Sequence, residues 1–207
     1  MLLAAISSSP RALWYLTRGT GVVTLLLFTL TVTLGIANFK RLETRRIPRF
    51  VIDGVHRNAA LLAVSFLSVH IVTTLLDSYV PTRLIDVVVP FGAAYKPLWL
   101  GLGAIAFDLL MAVALTSAFR RRLGHRTWRS VHWLAYAAWP VALIHGLGMG
   151  TDRHAHWMLA LTGGCVLLVG LAVLARLAEP DTASPVKRPS PARERLSGLT
   201  PAPARRR

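Results

Sequence analysis

Acidic residues and cysteine are both scarce in this chain of 207 residues: nine Asp and Glu stand against 24 Lys and Arg, and Cys165 is the one cysteine. A single thiol excludes a disulfide framework, and it excludes a thiolate metal site as well. The shortage of acid leaves a formal net charge of +15. In a soluble chain that excess would argue for nucleic acid, but here Lys and Arg gather in short loops beside apolar runs. The charge therefore reads as membrane topology, and no nucleic-acid partner is expected.

What the chain has in abundance is apolar sequence. With 54% hydrophobic residues and a mean hydropathy of +0.50 it is too apolar for a soluble domain, so membrane lipid is its expected surroundings. Five runs of about 20 apolar residues match the thickness of a bilayer, at 19–39, 56–77, 97–119, 131–150 and 156–177. The fold class that follows is all-α, a bundle of about five transmembrane helices. The first run is long, lacks a small-residue cleavage site and ends at Lys40, which reads as a retained helix rather than a signal peptide.

Lys and Arg set the orientation. Lys40, Arg41, Arg45, Arg46 and Arg49 follow the first run, and Arg120, Arg121, Arg122, Arg126 and Arg129 follow the third, so both loops are expected in the cytoplasm. Residues 1–18 then form an extracytoplasmic segment, 19–178 the membrane domain, and 179–207 a cytoplasmic tail in a multi-pass protein of the cell membrane. The tail is rich in Pro, Ala, Ser and Arg and has almost no large apolar residue, which predicts disorder.

Four histidines lie within the apolar runs: His56 and His70 in the second, His132 and His145 in the fourth. Intramembrane imidazoles are costly and rare, and four in paired register suggest axial ligands to two stacked haems. A lone intramembrane His is as readily a helix–helix hydrogen-bonding residue, so it is the pairing that carries the reading. His56 and His70 are 14 residues apart, within about 40° on one helix face and about 21 Å along its axis. The 13-residue spacing of His132 and His145 leaves an offset of about 140° on a straight helix. Pro140 lies between them, which predicts a bend there. Matching depths pair His56 with His132 at an inner haem and His70 with His145 at an outer one.

Other polar residues suggest supporting roles. Arg57, Arg126 and Arg129 fall near the inner pair, where haem propionates would need cations, although an ordinary positive-inside charge explains each of them equally well. Asp108, midway along the third run, is expected to face the bundle. His125 reads as a solvated loop residue, and His154 with His156 makes a poor metal site having only Asp152 as a neighbouring carboxylate. Trp99, Trp128, Trp133, Trp139 and Trp157 suit interface anchoring or packing against a porphyrin.

The His-x13-His and His-x12-His arrangement resembles the ferric reductase-like transmembrane domain shared by ferric reductases, NADPH oxidases and the haem-binding subunit of the bacterial methionine sulfoxide reductase system. The strings H-R-N at 56–58, D-S-Y-V-P at 77–81, K-P-L-W-L-G-L-G at 96–103 and V-H-W-L-A-Y-A-A-W-P at 131–140 support it. The resemblance implies two b-type haems on His56, His70, His132 and His145, with electrons moving from the cytoplasmic haem to the outer one. The full-length enzymes add FAD and NADPH domains, whereas the tail here has no Gly-rich nucleotide loop, so no FAD or NADPH site is expected in this chain. An oxidoreductase component of this kind needs a separate flavoprotein or quinol as electron donor, and an extracytoplasmic acceptor. Two further readings are a cytochrome b anchor subunit exchanging electrons with quinone, and a haem-free transporter or assembly factor.

Overall fold

Long apolar sequence with no exposed backbone to spare folds as helix, since a helix satisfies its own N–H and C=O groups where water is absent. The computed structural model describes residues 10–39, 48–78 and 80–178, and every regular element among them is helical. In chain order these are α1 (Pro10–Phe39), α2 (Arg49–Leu76), a 3-10 turn (Leu84–Val87), α3 (Pro97–Ala118), α4 (Arg120–Leu123), α5 (His125–His132), α6 (Leu134–Met149) and α7 (His156–Ala178). Four of these helices, α1, α2, α3 and α7, are long and apolar enough to cross a membrane. The expected tail at 179–207 lies outside the described residues. Of the expected N-terminal segment, residues 10–18 are the opening turns of α1.

α1 holds six threonines whose hydroxyls would be costly in lipid, and the helix satisfies five of them internally. Thr20, Thr24, Thr29, Thr31 and Thr33 each donate to the carbonyl four residues earlier, at 2.7 or 2.8 Å. The helix can then be buried: Leu25, Phe28, Val32 and Ile36 form a stripe at helical spacing that meets Ala138, Trp139 and Leu143 of α6 and Cys165 and Val169 of α7. The Trp139 indole N–H donates to Thr29 Oγ1 at 2.9 Å across this core.

Helices α1 and α2 pack along each other, as do α3 and α6, and the α1–α6 contact joins the two pairs. At one end, the loop after α2 is ordered by Asp86, which accepts from the Arg83 backbone N–H and guanidinium while Arg83 also donates to the Gly92 carbonyl. Arg18 ties the same end of α1 to Thr151 and Asp152, ahead of α7. The opposite end carries the arginines of α4 and α5.

One expectation needs correction. The basic stretch 120–129 is helical rather than loop, and His125 opens α5. In the fourth apolar run α5 and α6 are divided at Trp133, whose own backbone is right-handed (φ −62°, ψ −22°), and Pro140, where the bend is expected, lies inside α6. At Trp133 the N–H reaches the Arg129 carbonyl at 3.3 Å and its own carbonyl accepts from Tyr136 at 3.1 Å, a three-residue step that tightens the chain. α6 has 16 residues, about 24 Å of rise, short of a full bilayer crossing without the turns that precede it.

Candidate functional site

The four histidines of the apolar runs meet in two pairs. His56 of α2 faces His132 at the end of α5, with ring centres 6.3 Å apart and planes at 58°. His70 of α2 faces His145 of α6, with centres 6.5 Å apart and planes at 84°. The 14-residue spacing on α2 separates the pairs by about 21 Å. One pair lies toward the end carrying the arginines of α4 and α5, the other toward the end carrying the 77–96 loop.

Three of the rings are fixed at one nitrogen. Nδ1 of His56 lies 3.0 Å from the Thr31 carbonyl, Nδ1 of His70 lies 2.8 Å from the Thr17 carbonyl, and Nδ1 of His145 lies 2.7 Å from the Trp99 carbonyl. A carbonyl only accepts, so each Nδ1 carries the proton and donates, and each Nε2 is the bare nitrogen. This is the arrangement by which metal-binding imidazoles are oriented and made more basic. The fourth ring differs: His132 Nδ1 is buried without a hydrogen-bond partner, and the ring packs on Trp128, 5.1 Å between centres at 31°. Trp128 is itself held by an indole N–H bond to Ser117 Oγ at 3.2 Å.

The separations fit a bis-imidazole metal centre. Two metal–nitrogen bonds of about 2 Å, with each ring centre roughly another ångström behind its nitrogen, span about 6 Å. Among the described residues no three or more His, Cys, Asp or Glu side chains cluster to hold a metal ion by themselves. A porphyrin does not need such a cluster, because it supplies four of the six ligands and leaves two to the protein.

A largely apolar cavity surrounds the His70–His145 pair and reaches toward Arg18, Thr82 and Asp152. Two of its lining residues, Thr17 and Thr82, have buried hydroxyl oxygens without a partner. Near the cavity mouth, outside the membrane segments, the Arg83 guanidinium holds the Asp86 carboxyl below the usual carboxylate range.

The remaining candidates fall elsewhere. Arg57 follows His56 directly, Arg129 lies one turn before His132, and both are exposed. Asp108 is half-buried midway along α3. His125 is exposed with its ring 5.6 Å from Trp128, and His154 accepts from Arg153 at 3.1 Å on the surface. Trp139 is core, whereas Trp133 and Trp157 are exposed. The three accepting carbonyls escaped sequence reasoning, because backbone groups carry no residue-type signal.

Comparison with known proteins adds one match. The family model described as "Ferric reductase like transmembrane component" matches residues 20–143, which include His56, His70 and His132 and stop two residues before His145. No curated protein and no solved structure matches the chain.

Proposed function

The chain belongs to the ferric reductase-like transmembrane component family, and from that premise we propose that it is a b-type dihaem protein that carries electrons across the cell membrane. One haem would be held by His56 and His132 and the other by His70 and His145. The observation that carries this reading is the pair of facing imidazoles, 6.3 and 6.5 Å between centres, at two depths of one bundle. A haem iron with two imidazole ligands is coordinatively saturated, which favours one-electron exchange over oxygen binding.

The chain's own residues would prepare these sites. The Thr31, Thr17 and Trp99 carbonyls hold the protons of His56, His70 and His145 at Nδ1, leaving Nε2 free to bind. The apolar walls of the cavity exclude water from the His70–His145 pair. Thr17, Thr82 and Arg18 are the groups there that can donate to a carboxylate, and at the other end Arg57 and Arg129 are the corresponding candidates for propionates. By the distribution of Lys and Arg, the His56–His132 pair is cytoplasmic and the His70–His145 pair extracytoplasmic, with the N-terminus outside and the C-terminus inside. Electrons would enter from a separate flavoprotein or quinol donor and leave to an extracytoplasmic acceptor.

A dithionite-reduced minus oxidised spectrum of the purified chain, with haem stoichiometry, tests the proposal. Wild type should show a b-type spectrum and about two haems per chain, and His70→Ala and His145→Ala should each lose about one. A colourless wild-type protein, or full haem content in both variants, overturns it.

A further inference from the structure

Three glycines stand behind the three anchored histidines in the same register. The His70 ring bonds the Thr17 carbonyl and lies against Gly21, the His56 ring bonds the Thr31 carbonyl and lies against Gly35, and the His145 ring bonds the Trp99 carbonyl and lies against Gly103. In every case the glycine is four residues after the accepting carbonyl, on the helix opposite the histidine. That spacing has a geometric cause. Each Cα–Cβ bond of a helix tilts toward the N-terminus, so the side chain at position i+4 leans back over the carbonyl of position i. That carbonyl already accepts the i+4 N–H, and the absence of Cβ leaves room beside its other lone pair for a ring approaching closely from a neighbouring helix.

We propose that Gly21 and Gly103 are positioning residues for the imidazole ligands: each bares a helical carbonyl so that the facing histidine can dock its Nδ1–H there and direct Nε2 at its partner, whereas the looser contact at Gly35 would also admit alanine. The inference rests on the bis-imidazole reading given above. It also separates the two sites. Both rings of the His70–His145 pair sit in such notches, whereas His132 has no carbonyl partner and packs on Trp128.

The distances rank the three positions. A Cβ added at Gly103 would lie 2.6 Å from Cε1 and 2.7 Å from Nδ1 of His145, so the ring must leave its place. At Gly21 the nearest atoms are His70 Cε1 at 3.0 Å and Nδ1 at 3.1 Å, a contact the ring can relieve by shifting a few tenths of an ångström. At Gly35 the nearest is His56 Cε1 at 3.5 Å, an ordinary van der Waals contact. A Cβ at Gly54 or Gly163 meets nothing within 4 Å.

The test is an alanine series in the full-length chain, reconstituted in lipid nanodiscs: Gly103→Ala, Gly21→Ala and Gly35→Ala, with Gly54→Ala and Gly163→Ala as controls. Haem per chain, the low-spin ferric EPR signal, redox titration and thermal unfolding are measured together. Alanine is the better helix former, so helix positions with no other duty should hold or gain thermal stability and leave the EPR signal and potentials unchanged. The inference expects Gly103→Ala to lose about half of the haem, because one ligand of one site is displaced. Gly21→Ala should keep its haem with a shifted low-spin signal and a shifted potential in one of two titrating steps, and Gly35→Ala and both controls should match wild type. If Gly103→Ala does not accumulate, Gly21→Ala decides. Wild-type haem content, EPR signal and potentials in both Gly103→Ala and Gly21→Ala overturn the inference while leaving haem ligation intact. A wild-type protein without haem overturns the ligation reading, and the inference falls with it.

Discussion

Among single residues, hydrogen bonding separates polar groups that serve the scaffold from those left open for a ligand. Five α1 threonines bond back to their own helix and Asp86 is enclosed by Arg83, so these serve the scaffold, whereas Thr17 keeps a buried hydroxyl without a partner. The histidines of the apolar runs use one nitrogen each, except His132, and keep the other. Asp86 gives a pH prediction. Its carboxyl is held below the usual range in the folded protein, so the Arg83–Asp86 pair supports the 83–92 loop above about pH 4 and loses that support as pH falls through the depressed folded value. The protection factors of the loop amides, referred to the intrinsic exchange rate at each pH, should therefore fall in acid for wild type. Asp86→Asn should be less protected already at neutral pH, with little further change in protection on acidification. Equal protection of the wild-type loop on both sides of that range would contradict the assignment.

For the helices, the alignment of the fourth apolar run turns on how its two histidines both come to face α2. On a continuous helix His132 and His145 diverge by about 140°, and two irregular points lie between them, the turn at Trp133 and Pro140 within α6. Deleting Trp133 should swing His132 by about 100° relative to α6 and abolish binding at the His56–His132 pair while sparing the other. Pro140→Ala should leave haem content at the wild-type level, because the proline lies inside α6 and not at the turn. Haem per chain and the reduced spectrum of the two variants check both statements, and a Pro140→Ala protein lacking one haem would show that the turn at Trp133 is not what aligns the rings. Pro140 was the visible breaker in the sequence. Trp133 was not, since a tryptophan has no intrinsic tendency to interrupt a helix.

Taken whole, the bundle is two helix pairs, α1 with α2 and α3 with α6, joined along the α1–α6 contact. Each facing His pair draws one ring from either half: His56 and His70 from α2, His132 and His145 from the segment that packs on α3. A ligand held between such rings fastens one half to the other. The protein's own fastening is the buried Trp139–Thr29 bond, 2.9 Å, within the apolar core. Thr29→Val should leave the indole N–H buried and unpaired, at a cost of about 1–3 kcal/mol, with helix content unchanged. Thermal or denaturant unfolding in detergent, followed by circular dichroism, measures it. Stability equal to wild type would mean that the bond does not hold the halves together. The core stripe of α1 was hard to foresee because every face of a membrane helix is apolar, so periodicity cannot distinguish helix from lipid as a neighbour.

The sequence by itself determined the all-helical membrane class and the approximate limits of most spans, and it singled out four histidines within the apolar runs, because bilayer thickness and the cost of a buried imidazole act on composition and spacing alone. Which rings face each other at 6.3 and 6.5 Å, which carbonyls hold them, and where the fourth run divides were decided only by the tertiary structure. Those features arise between helices, where the fit of one surface against another, and not any property of a single segment, sets the distance.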